Sequence, residues 1–176
     1  MKHLLIILVL FLGPLCGEEM VIGKKSISPG IEFIFEAAPK DTIFPNSLYL
    51  SENETDIHIE MLASWKEDNL ALAPSGSFVA YLEVEAIIKN KNGSTEKIYL
   101  TPHLNLIDNL HYAQNIKLPG YKEDLYTVEF SITPPSSEII GLHYDWRETV
   151  GNIIVESKNF IFPDLNFAKI ASASRR

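Results

Sequence analysis

The stretch Asp56-Ile57-His58-Ile59-Glu60-Met61-Leu62 decides how this chain folds. Polar and apolar residues alternate along it: Asp56, His58 and Glu60 share one parity, Ile57, Ile59 and Met61 the other. Successive side chains of a strand point to opposite faces of a sheet, so this period predicts a strand whose Ile/Met face meets the core. It also puts His58 and Glu60 side by side on the opposite face, where both could reach one ion.

The same pattern recurs on either side. Residues 31–37 (Ile-Glu-Phe-Ile-Phe-Glu-Ala) follow Pro29-Gly30 and read as a strand after a turn. Residues 78–89 place Leu82, Val84 and Ala86 inward and Tyr81, Glu83 and Glu85 outward. Asn92-Gly93 marks a hairpin turn, because that pair tolerates positive φ, and residues 96–104 return from it. Residues 126–133 set Val128, Phe130 and Ile132 against Thr127, Glu129 and Ser131, and Pro134-Pro135 ends the run. Residues 153–162 form a last strand, and the tail from residue 171 is expected to fray. The segment 103–115 reads as a strand end and a polar, turn-prone loop carrying His111-Tyr112. No helical period of useful length appears. Short strands with one-sided alternation predict an all-β antiparallel sandwich of two sheets.

The chain has 176 residues, 46% of them hydrophobic and 22% charged, enough to bury a core in one domain. Its formal charge is −8. An acidic surface is the wrong footprint for nucleic acid.

Residues 1–17 have the layout of a secretory leader: Met1-Lys2-His3, an apolar run over 4–12, then Gly13-Pro14-Leu15-Cys16-Gly17. The run is shorter than the roughly 20 residues a membrane span needs. Cleavage after Gly17 leaves a single domain over 18–176. The alternative is a lipid anchor at Cys16, the only cysteine. Without Cys16 the exported chain can form no disulfide and offers no thiolate to a metal or to catalysis.

Three histidines in separate segments, His58, His111 and His143, could converge with Glu60 on a surface metal site. A strand histidine taken alone is ordinarily just a polar surface residue, so convergence decides the matter. Asp108 suits an Asx turn, and Asp145 either supports His143 from behind or caps a turn. Trp65 and Trp146 read as packing residues. No nucleophile–base pair, phosphate loop or paired-acid motif is present, so nothing marks an enzyme.

In order along the chain, Ile22-Gly23, Pro29-Gly30-Ile31-Glu32, Asp56-Ile57-His58-Ile59-Glu60, Tyr81-Leu82-Glu83-Val84, His111-Tyr112 with Asn115-Ile116-Lys117-Leu118, Val128 to Pro135, and His143 with Asp145 form a set. This set resembles the periplasmic copper-binding proteins associated with high-affinity iron uptake, a family that includes a spirochaete membrane antigen. The resemblance implies an immunoglobulin-like sandwich that forms a homodimer. It implies a copper (Cu2+) site, open also to iron or another divalent cation, built from His58, Glu60, His111 and His143 near the dimer interface. It further implies work beside an inner-membrane iron permease, with no small-molecule substrate. The alternatives are a copper-dependent oxidoreductase acting on iron, and a permease-docking module whose metal site has degenerated.

The chain departs from that family at several positions. Where relatives carry methionine, it has Ile31 and Leu104; Ala113 and Leu142 replace a glycine and an arginine. Imidazole and carboxylate suit Cu(II) or zinc, whereas soft sulfur favours Cu(I), so a divalent site with little hold on Cu(I) is expected. His103 adjoins Leu104 and is expected to face away from the site unless its strand bulges.

Overall fold

The computed structural model describes residues 19–106 and 109–174. The expected leader 1–17, with Cys16, and Asp108 lie outside these residues. Eight strands run in chain order: β1 (Met20–Ile27), β2 (Ile31–Pro39), β3 (Ile57–Trp65), β4 (Glu83–Asn90), β5 (Thr95–Asn105), β6 (Asn109–Ile116), β7 (Leu125–Thr133) and β8 (Lys158–Asn166). Two short helices, α1 (Tyr144–Thr149) and α2 (Ala168–Ala171), flank β8. All pairings are antiparallel, in the order β1-β2-β3-β6-β5-β4-β7-β8.

The all-β expectation holds, and the two layers are continuous. β5 pairs with β6 in one layer and β4 in the other, so the sheet curls into a nearly closed barrel. Aromatic side chains fill the space between the layers. The Phe35 ring centroid lies 4.5 Å from that of Phe130 and 5.1 Å from that of Phe162, joining β2 to β7 and β8. β1 and β8 close on one another at Gly23, where a Cβ would collide with the Phe162 ring. The bulge between Val21 and Gly23 falls at the same place.

The alternation read from the sequence maps onto burial. Ile57, Ile59 and Met61 are fully buried, as are Val128, Phe130 and Ile132. Asn90 organises the β4–β5 turn by accepting from the Asn92 and Ser94 amides, with Gly93 at φ +93°.

Four expectations require correction, one of them the last strand, expected at 153–162 and found as β8 at Lys158–Asn166, and one strand, β1, was not expected. Residues 109–116 are a strand, β6, and not a loop, and its His111, Tyr112 and Asn115 are buried rather than solvated. β1 was not legible, because Lys24-Lys25 and Ser26 interrupt its pattern at an exposed edge. The strand expected at 78–89 begins at Glu83: Tyr81 has φ +65°, which breaks the pleat, and Phe78 makes only an isolated bridge to Ser64. The tail does not fray at residue 171, since Ile170 and Ala171 are buried and Lys122 Nζ donates to the Ala171 carbonyl at 3.0 Å.

Candidate metal centre

The face of β3 opposite the core is not solvent-exposed. His58 and Glu60 are both buried there, beneath the connection from β2 to β3. They form the floor of a cavity of about 700 Å³, with His103 and His111 beside them and Asp41, Phe44 and Tyr49 among its walls. The site expected at the surface is therefore recessed.

Strand pairing dictates which side chains meet. β3 and β6 are neighbours, so His58 on β3 and His111 on β6 reach the same cavity. β5 and β6 pair with His103 directly opposite His111 and without a register shift. One potential ligand atom from each of His58, His103 and His111 lies within 4.8 Å of the others. The ring centroids are 5.4 Å apart for His58–His103, 5.9 Å for His103–His111 and 6.3 Å for His58–His111.

His103 was expected to face away, and it faces in without a bulge. The reason is parity. Residues directly opposite across this hairpin share a face, and His103↔His111 and Leu104↔Leu110 are such pairs. Same-face positions are thus an even number of residues apart. Counting seven back from His111 lands on Leu104, which is on the outer face and 77% exposed. Pairing, rather than distance along the chain, is the signal that finds His103. The other position where relatives carry methionine, Ile31, pairs with Trp65 at the far end of β2 from His58 and lies in the core.

His143 does not join this cluster within one protomer. It is exposed immediately before α1, and it lines a separate cavity of about 410 Å³ with Trp65, Val79, Tyr81 and Trp146. Trp65 and Trp146 pack edge to face at 6.1 Å, as packing residues should. Asp145 accepts from the Trp146 amide at 2.9 Å and so orders the first turn of α1.

Hydrogen bonds fix the chemistry of His58. Asn115 Nδ2 donates to the carbonyls of Asp41 (2.8 Å) and Leu50 (3.0 Å). Its Oδ1 must then face His58 Nδ1, at 2.8 Å, and can only accept. His58 Nδ1 therefore carries the proton, and Nε2 presents a lone pair to the cavity. Glu60 Oε1 lies 3.7 Å from that nitrogen. Two acceptor atoms facing one another in a buried site are what a shared cation reconciles.

Burial holds His58 and His103 in the neutral form that a metal needs. His58 is pushed down to about 4, mainly by burial and further by His111, against the opposing pull of Asn115 and Asp41. His103 also falls to about 4, through burial and then His58 and His111. Its Nε2 is 3.2 Å from Thr101 Oγ1, while its Nδ1 is buried with no hydrogen-bond partner among the described residues. A buried polar atom left without a partner is uncommon and calls for a reason. Three imidazoles, one of them with a buried nitrogen that no described residue satisfies, and a carboxylate fit a divalent transition-metal ion. Among the described residues no sulfur lines the cavity: Met61 lies in the core and Met20 packs against it.

Comparisons with known proteins give the family and the fold. Residues 17–168 match the family described as Fe2+ transport protein. A UPF0423 protein of Brucella abortus (strain 2308) is 27% identical over 139 residues, covering 77% of this chain and 75% of the relative. The copper-reconstituted P19 protein of Campylobacter jejuni superposes with a TM-score of 0.71 at 25% identity, covering 83% of this chain and 94% of that one. FetP of uropathogenic Escherichia coli strain F11, as isolated, gives 0.70 at 21% identity, over 84% and 95% of the two chains.

Proposed function

The chain belongs to the Fe2+ transport protein family, and we propose that it is an exported, periplasmic metal-binding protein of iron uptake that holds copper in the histidine cavity. The observation that carries this reading is the meeting of three buried imidazoles and Glu60 at one point of the sheet. His58, Glu60 and His111 are the residues assigned to the metal. Copper bound there would supply a one-electron couple beside a cavity large enough to admit an iron ion. The protein binds and hands on metal; among the described residues no constellation outside the metal site suggests catalysis.

In this reading residues 1–17 are a cleaved leader and 18–176 the working domain. His143, exposed at a separate cavity of its own protomer, serves as a ligand only when a second copy brings it to the site. A homodimer is therefore part of the proposal, as is an inner-membrane iron permease that receives the cargo. A degenerated site is disfavoured, because burying three imidazoles together is costly without a ligand to reward it.

The test is iron uptake in a strain lacking this protein. Complementation with the wild type restores accumulation of radiolabelled iron under limitation, and the His58→Ala/His111→Ala variant does not. Equal uptake by both, at equal protein levels, would remove metal binding at this cavity from the account.

A further inference from the structure

The strand pairing places a residue in the cavity that no resemblance supplied. We infer that His103 is a metal ligand through Nδ1, and that Thr101 and Tyr49 hold its ring in the tautomer that makes it one. This rests on the reading of the cavity as a metal site and adds a donor atom and two positioning residues to it.

Three observations support it. First, His103 is 7% exposed, faces His111 across β5–β6 and stacks on His58 with their planes 28° apart. Second, its two nitrogens are unequal. Nε2 lies 3.2 Å from Thr101 Oγ1, and Nδ1 has no partner among the described residues. An imidazole with Nδ1–H would bury an unsatisfied donor, at a cost of about 1–3 kcal/mol. The other tautomer donates Nε2–H to Thr101 and leaves only a lone pair at Nδ1. Third, Thr101 is itself held. Its Oγ1 lies 3.0 Å from the Tyr49 hydroxyl, and the Tyr49 ring meets the edge of His103 at 5.0 Å. When Nε2–H occupies a lone pair of Thr101 Oγ1, the threonine hydroxyl can donate onward to Tyr49. Metal-bound imidazoles ordinarily donate their second N–H to an acceptor that fixes the ring, and this chain supplies one.

The assignment has a chemical consequence. Three imidazoles and a carboxylate, with no thioether, make a donor set for Cu(II) and other borderline divalent ions rather than for Cu(I). Tyr49 comes from the β2–β3 connection, the same segment that Asn115 ties down over His58. One loop thus positions two of the three ligands from behind.

The experiment titrates the full exported protein with Cu(II) against a chelator of known affinity and records the electron paramagnetic resonance spectrum of each variant. His103→Gln is expected to weaken Cu(II) binding by at least about 100-fold and to remove one nitrogen from the hyperfine pattern. His103→Gly is expected to regain the wild-type spectrum when imidazole is added. Thr101→Val and Tyr49→Phe keep the nitrogen count and lose roughly 10-fold in affinity. Circular dichroism establishes that each variant is folded. An unchanged spectrum and affinity in His103→Gln, with binding abolished in His111→Ala, would overturn the inference and leave the metal site standing. Absence of Cu(II) binding by the wild type would overturn both.

Discussion

Asn115 Oδ1 accepts a 2.8 Å hydrogen bond from His58 Nδ1 while the same side chain donates to the carbonyls of Asp41 and Leu50. One buried amide therefore sets the tautomer of His58 and pins the segment over it at Asp41 and Leu50. Fold and site are coupled through that residue.

Replacing Asn115 should damage both. Asn115→Ala removes three hydrogen bonds and leaves His58 Nδ1–H unpaired, at a combined cost of about 2–4 kcal/mol of folding stability. Metal affinity should fall roughly 10- to 100-fold, the usual effect of losing an outer hydrogen-bond partner. Urea unfolding and Cu(II) titration of the same preparation measure the two effects. Asn115→Asp should restore much of the affinity, because it keeps the acceptor facing Nδ1.

Tyr112, next to His111, has a purely architectural role. It is fully buried; its hydroxyl accepts from the Leu82 amide at 3.0 Å and donates to the Val79 carbonyl at 2.8 Å. Tyr112→Phe strands a buried donor and acceptor and should cost about 1–3 kcal/mol. Since the ring points to the core and not the cavity, metal affinity should stay within about twofold. A large loss of affinity with unchanged stability would place Tyr112 in the site instead.

The buried histidines make the metal-free protein acid-sensitive. His58 and His103 titrate near 4 in the folded chain and near 6.5 when unfolded. Between those values the unfolded state holds protons that the folded state does not, so stability is full above about 6.5 and falls as pH drops towards 4. His58 alone accounts for roughly 3 kcal/mol over that window. Urea midpoints at pH 7, 5.5 and 4.5 should decline steadily. The decline should be shallower in a folded His58→Gln variant, and a flat profile in the wild type would mean the rings are not buried neutral.

How the sequence expressed this site is instructive. His58 and Glu60 were legible because a period of two is visible in six residues and puts both on one face. The recess over them was not, since it is made by an irregular segment, 40–56, with no period to read. His103 was hidden by counting along the chain: a polar run at 103–115 looked like a loop, and only the observed β5–β6 register puts His103 opposite His111. β1 was missed because an edge strand needs an apolar pattern on only part of one face. His143 carries no local signal of where it goes, because its role in the proposal depends on a second molecule.

That dependence can be measured. If His143 reaches the metal from a second copy, Cu(II) affinity should weaken as the protein is diluted below its dimer dissociation constant. His143→Ala should bind more weakly than the wild type at high protein concentration and show no dependence on dilution. Identical dilution curves for the two proteins would confine the site to one protomer.

The central claim is that the histidines of β3, β5 and β6 form one metal site. Equilibrium dialysis of the wild type and the His58→Ala/His111→Ala variant against copper at neutral pH, followed by metal analysis, tests it most directly. With a shared site, one copper per chain is expected in the wild type and none above background in the folded variant. Equal copper in both proteins, or none in either, would contradict it.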